Sequence, residues 1–144
     1  MNETYKKFTL NELAIGQKEQ FDVLITESLI NQFAEISGDF NPLHMKSEYA
    51  KQNGFAGRVC HGMLLSSFFS RLVGMYLPGI HALYFSQSLN FKNPCYINDK
   101  ITIEGEILDK SDASKILTLK TIIKKDSGEI VVEGNAKVIV RNHV

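Results

Sequence analysis

Residues 37–44 read Ser-Gly-Asp-Phe-Asn-Pro-Leu-His, which sets the carboxylate of Asp39 and the imidazole of His44 five positions apart. A carboxylate and an imidazole that converge on one water form a general acid/base pair. Regular structure would keep them apart, about 140° around an ideal helix or on opposite faces of a strand. Pro42 removes a backbone donor and biases Asn41 toward extended conformations, so a turn is expected here rather than a helix. Such a turn could fold both side chains toward one point, with Asn41 hydrogen-bonding inside it or holding a substrate group. Gly-Asp-Phe-Asn-Pro is equally an ordinary turn composition, with Asp39 a local cap and His44 a surface residue.

A second feature, Val59-Cys60-His61-Gly62-Met63, lies where a helix is expected to start. The first-turn N–H groups of a helix carry partial positive charge and can hold an oxyanion. A thioester or ester carbonyl oxygen would be a suitable guest. Gly62, without a Cβ, permits close approach, and His61 beside it is a candidate supporting residue. Gly62 also opens a ridge of small residues with Ser66, Ser70 and Gly74, expected to let a neighbouring backbone approach closely. Cys60, His61, His44 and Cys95 lack any CxxC or HxxxH spacing, so no metal is expected. Cys60 next to His61 makes a poor nucleophile and base, because adjacent side chains diverge. No GxSxG, phosphate-binding loop or dinucleotide fingerprint is present.

The elements that must position these residues follow from periodicity. A strand is expected over 21–26. A helix follows over 28–37, with Leu29, Phe33 and Ile36 on one face and Gly38 as its C-cap. A short helix capped by Ser47 should end near Gly54. The main helix is expected over 62–77, where Leu65, Phe68, Phe69, Leu72, Val73 and Tyr76 form an apolar stripe, and Pro78-Gly79 stops it. Four strand-like runs come after it: 84–91, one marked by Ile101, Ile103 and Ile107, one by Leu117, Leu119, Thr121 and Ile123, and a last run. Asp126-Ser127-Gly128 signals a hairpin before that last run. There Val132, Gly134, Ala136, Val138 and Val140 share one face, while Glu133, Asn135, Lys137 and Arg141 share the other. Phe85, Phe91 and Tyr96 are expected in the core or lining a pocket. The fold class is α+β, an antiparallel sheet wrapped around one long helix.

The chain has 144 residues and 16.2 kDa, 44% of them hydrophobic, which suits one domain over 1–144. Sixteen basic and sixteen acidic residues give no net charge, hence no global pull toward nucleic acid or an anionic membrane. Two cysteines fit a reducing compartment. The start resembles no signal peptide, and Arg71, Pro78, Gly79 and His81 interrupt the apolar stretch 62–85, so a cytoplasmic, non-membrane protein is expected.

The residues Phe33-Ala34-Glu35-Ile36-Ser37-Gly38-Asp39-Phe40-Asn41-Pro42-Leu43-His44 and Arg58-Val59-Cys60-His61-Gly62-Met63-Leu64-Leu65-Ser66-Ser67 resemble the MaoC-like (R)-specific enoyl-CoA hydratases. Leu77-Pro78-Gly79 and Gln87-Ser88-Leu89-Asn90-Phe91-Lys92-Asn93-Pro94 extend the resemblance over almost the whole chain. It implies a hot-dog fold, a homodimer joined sheet edge to sheet edge, and an acyl tunnel near the dimer interface. It implies reversible hydration of a trans-2-enoyl-CoA to the (R)-3-hydroxyacyl-CoA, without a cofactor. By position, Asp39 and His44 would hold the water and Gly62 would offer its N–H to the thioester oxygen. Ser70 falls where some members have a serine supporting the aspartate. Either of the pair could deliver the α-carbon proton. The alternatives are a 3-hydroxyacyl-[acyl-carrier-protein] dehydratase, docking through Arg58, Lys92 or Lys100, a hot-dog thioesterase, and a non-catalytic acyl-CoA binding module.

Overall fold

A computed structural model of the chain describes residues 4–141. Six antiparallel strands form one sheet: β1 (Lys18–Leu24), β2 (Ala82–Gln87), β3 (Asn90–Phe91), β4 (Lys100–Lys110), β5 (Ile116–Lys125) and β6 (Ile130–Val140). Their order is β1-β4-β5-β6-β2, with β3 also paired to β6. Strict alternation in β4 buries Ile101, Ile103 and Ile107, and β5 buries Leu117, Leu119, Thr121 and Ile123 opposite them. β6 buries Val132, Ala136, Val138 and Val140 as the alternation requires. Val131 is buried too, near a register irregularity between Ile123 and Lys124.

Among the described residues the sheet is accompanied by four α-helices, α1 (Glu27–Ser37), α2 (Pro42–Met45), α3 (Ser47–Gln52) and α4 (Gly62–Arg71), and by a 3-10 turn at Leu10–Glu12. A ten-residue helix is marginal alone in water, so α4 is held by what it buries. Leu64, Leu65 and Phe69 pack with Leu72 against Phe21, Ile101, Ile103, Ile123 and Val132. Burial of each such side chain contributes roughly 1.5–3 kcal/mol. Val73 and Leu77 continue the same packing onto Ile107, Leu119 and Val138. The result is a sheet around a central helix, the hot-dog arrangement.

Several local expectations are corrected. The helix expected over 62–77 is α-helical only to Arg71. Residues 72–76 widen into a π turn, with the Leu77 N–H donating to the Leu72 carbonyl at 2.9 Å. Pro42 opens α2 instead of excluding helix, because at the first helical position its missing N–H would have had no partner. Ser47 is the first residue of α3 and makes no cap; Lys46 holds the cap position. The run 84–91 is two strands, broken where the Ser88 hydroxyl accepts the Asn135 N–H at 2.9 Å. Phe85 is exposed on β2. At the two glycines of the small-residue ridge no backbone packs closest: a Cβ on Gly62 would meet the Phe91 ring, and one on Gly74 nothing within 4 Å. Among the described residues no helix is long and apolar enough to cross a membrane.

Candidate active site

The loop after α1 is a relay of side-chain caps. Gly38 takes the left-handed conformation, φ 78°, and its N–H closes α1 on the Ala34 carbonyl. The Asp39 N–H then donates to Ser37 Oγ at 3.1 Å, the Asn41 N–H to Asp39 Oδ1 at 3.1 Å, and the Leu43 N–H to Asn41 Oδ1 at 3.0 Å. Asn41 thus uses its side-chain carbonyl to cap α2. These bonds turn the chain sharply enough to bring Asp39 and His44 together despite their spacing. Asp39 Oδ2 lies 3.8 Å from His44 Nε2, too long for a direct hydrogen bond.

His44 is fixed from behind. Its Nδ1 lies 2.7 Å from the Val59 carbonyl, which can only accept, so Nδ1 carries a proton and donates. The other ring nitrogen, Nε2, faces Asp39. The ring stacks on His61 with centroids 4.0 Å apart, and His61 in turn lies against Phe33 at 4.9 Å. His61 Nε2 donates to the Asp39 carbonyl at 3.0 Å. Burial holds the His61 imidazole below its ordinary pKa, despite the bond to Asp39, so it stays neutral between the other two residues. One buried ring therefore ties the carboxylate's backbone and the second imidazole to the start of α4.

Gly62 is the first residue of α4, and His61 in the cap position makes no side-chain capping bond. Gly62 and His44 both line a cavity of about 410 Å³, walled also by Leu65, Phe91 and Val132. That volume suits a small ligand. The Phe91 ring packs directly on Gly62, where a Cβ would come within 2.7 Å of it. Gly62→Ala is therefore expected to overpack this contact, costing roughly 1–3 kcal/mol. Thermal unfolding should show a lowered Tm that Phe91→Leu in the same chain restores; an equal loss in both chains would contradict the contact.

Asp39, His44 and His61 bring their ligand atoms within 4.8 Å of one another, a grouping that could attract a metal. His44 Nδ1 and His61 Nε2 are both protonated toward carbonyls, which leaves Asp39, His44 Nε2 and the buried His61 Nδ1 as donors. Cys60 and Cys95 line the same cavity but are buried; desolvation raises both thiols, Cys95 to about 12, far from a nucleophile's range.

A family model for the MaoC like domain matches residues 11–127. The chain belongs to the MaoC-like family. Membership makes this MaoC-like protein a hydro-lyase, an enzyme that adds water to a double bond or removes it. It is 39% identical over 126 residues to the (R)-specific enoyl-CoA hydratase of Aeromonas caviae, covering 88% of this chain and 94% of that one. It is 40% identical over 116 residues to a mitochondrial 3-hydroxyacyl-[acyl-carrier-protein] dehydratase of Arabidopsis thaliana, covering 78% and 69%. The unliganded R-hydratase PhaJ1 of Pseudomonas aeruginosa superposes with a TM-score of 0.91 at 31% identity, over 96% and 89% of the two chains.

Not every expected residue of the MaoC-like site gathers there. Asp39, His44 and His61 come together and Gly62 shares a cavity with His44, while the Asn41 side chain caps α2. Ser70 does not join them: eight residues along the helix, it is exposed and lines a separate apolar depression of about 340 Å³ with Phe33, Met63 and Tyr84. Among the described residues no hydrogen bond joins Ser70 to Asp39, and two helical turns carry Ser70 roughly 12 Å along the axis from Gly62. Met63 lines both spaces and lies between them. Of the three cations proposed for docking, Arg58 is mostly buried in hydrogen bonds, Lys92 pairs with Glu133 at 3.4 Å and Lys100 with Asp22 at 3.6 Å. Only the two lysines are half-exposed, and Lys92 alone borders the cavity. The Val59 carbonyl, which sets the His44 tautomer, was invisible in sequence: a main-chain acceptor has no side-chain signature.

Proposed function

We propose that the chain is an (R)-specific enoyl-CoA hydratase, catalysing reversible syn hydration of a trans-2-enoyl-CoA to the (R)-3-hydroxyacyl-CoA. The observation that carries this reading is the 3.8 Å gap between Asp39 Oδ2 and His44 Nε2, with His44 and Gly62, the first residue of α4, lining one cavity. A single water donating one hydrogen to each would be aimed by both. As its oxygen bonds to the β-carbon, Asp39 takes one proton and the double-bond electrons move onto the thioester oxygen. The Gly62 N–H stabilises that enolate; loss of a comparable oxyanion donor elsewhere costs roughly 2.7–4 kcal/mol. The enolate then collapses, the protonated Asp39 returns its proton to the α-carbon, and the other hydrogen stays on the product hydroxyl. The His44 Nδ1–H is engaged with the Val59 carbonyl, which supports Asp39 as the group that returns the proton. One water on one face supplies both atoms, hence syn addition.

The acyl chain has the depression beyond Met63 available to it, bordered by Tyr84 of β2. β2 is an end strand of the sheet, and Leu83, Tyr84 and Phe85 are exposed on it. We read that edge as the surface a second copy covers in a homodimer. The similarity to an acyl-carrier-protein dehydratase, with Lys92 at the cavity, favours dehydration of a carrier-bound 3-hydroxyacyl group as the second reading.

One experiment separates them. Loss of the enoyl-thioester absorbance is followed with crotonyl-CoA and with the crotonyl carrier protein, and the product is resolved by chiral chromatography. Faster turnover of the CoA ester with (R)-product is expected. A preference of tenfold or more for the carrier protein would install the second reading, and free thiol without hydroxyacyl product would remove both.

A further inference from the structure

α2 is a single turn, far too short to hold its own orientation in water. Its position is imposed by its surroundings, and one side chain does most of this at its C-terminal end. The Arg58 Nε donates to the His44 main-chain carbonyl at 2.6 Å, one of the last carbonyls of α2 and without a helical partner. From the same planar fork, Nη1 donates to Glu27 Oε1 at 3.1 Å and Nη2 to Asn31 Oδ1 at 2.6 Å. Glu27 and Asn31 are one turn apart on α1, so they face the fork together. Only 10% of the Arg58 side chain is exposed, so the fork is held within the protein although its partner Glu27 reaches solvent. Nη2 also lies 3.6 Å from Met45 Sδ, so the fork touches both of the last two residues of α2.

The main chain next to Arg58 holds the other side of the same residue. The Val59 N–H donates to the Leu43 carbonyl at 3.1 Å, and the Val59 carbonyl receives His44 Nδ1–H. His44 is thus gripped at its ring by Val59 and at its backbone by Arg58, with α1 as the fixed point behind.

We infer that Arg58 is a positioning residue for the reaction, locking α2 to α1 so that His44 Nε2 stays aimed at the water beside Asp39. The inference deepens the hydratase reading and rests on it for its kinetic consequence. Lysine can reach the His44 carbonyl but cannot also fork to Glu27 and Asn31. Methionine keeps the packing of the stem and makes none of the bonds.

The test compares wild type, Arg58→Met and Arg58→Lys by kcat and KM on crotonyl-CoA, and by the side-chain ¹H–¹⁵N NMR signals of His44. A misplacement near 1 Å can cost about 100-fold in rate. Arg58→Met is expected to lose about 10–100-fold in kcat with KM nearly unchanged, and its hydrogen-bonded His44 Nδ1–H signal should broaden or vanish. Arg58→Lys should recover a substantial part of both. A folded Arg58→Met with wild-type kcat and an intact His44 signal overturns the inference, as does a loss confined to KM. Should Arg58→Met not fold, the double variant Glu27→Gln/Asn31→Ala, which loosens the fork while keeping Arg58, must lower kcat several-fold; wild-type kcat there overturns it. If wild type itself does not hydrate the thioester, the hydratase reading fails, and the NMR signal alone still decides whether Arg58 holds His44.

Discussion

Replacing Asp39 by Asn is expected to lower kcat for crotonyl-CoA hydration by about 1,000-fold while KM and Tm change little. The size follows from the role: a positioned base contributes roughly 10²–10⁴ in rate. The selectivity follows from the surroundings. The Asp39 side chain is 47% exposed, so no buried charge is removed. Asparagine keeps an Oδ1 to accept the Asn41 N–H, and the turn therefore survives. Only the ability to take a proton from water and return it to carbon is lost. Steady-state kinetics with thermal unfolding check this; a kcat within tenfold of wild type would mean that another group carries the proton.

His44→Asn is the second large effect, a loss of about 100- to 1,000-fold in kcat. The asparagine amide places an N–H at a distance from the backbone similar to Nδ1, so the bond to the Val59 carbonyl can be kept. The Nε2 acceptor has no equivalent, and the water loses one of its two anchors. The stack on His61 is lost as well, worth about 0.5–1.5 kcal/mol, so Tm should fall modestly alongside kcat. A variant that keeps more than a tenth of wild-type kcat would show that Asp39 alone orients the water.

Much of the scaffold was legible because burial writes itself into periodicity. Ile101, Ile103 and Ile107 alternate because one face of β4 meets α4 and the turn that continues it, and the other does not. Gly38 announces the end of α1 because few other residues adopt φ 78° cheaply. β2 carries no such pattern, since the end of the sheet exposes both faces of Tyr84 and its neighbours. The loop chemistry was legible in part. Asp39, Asn41 and His44 were marked by residue type, yet their convergence depends on three consecutive caps and on Pro42 opening a helix. A proline reads as a helix breaker only until its position in the helix is known. Arg58 was visible as a charge and misread as a docking group, because its partners Glu27 and Asn31 lie about thirty residues away, and its third bond goes to a carbonyl.

Asp39→Asn, His44→Asn and the double variant together form a cycle that asks whether the two side chains serve one water. Groups acting as a unit are not additive, whereas independent contributions multiply. A double variant with kcat within a few-fold of Asp39→Asn alone is the expected result. Losses that multiply to the full product of the two single effects would contradict a shared water, and with it the account of the site.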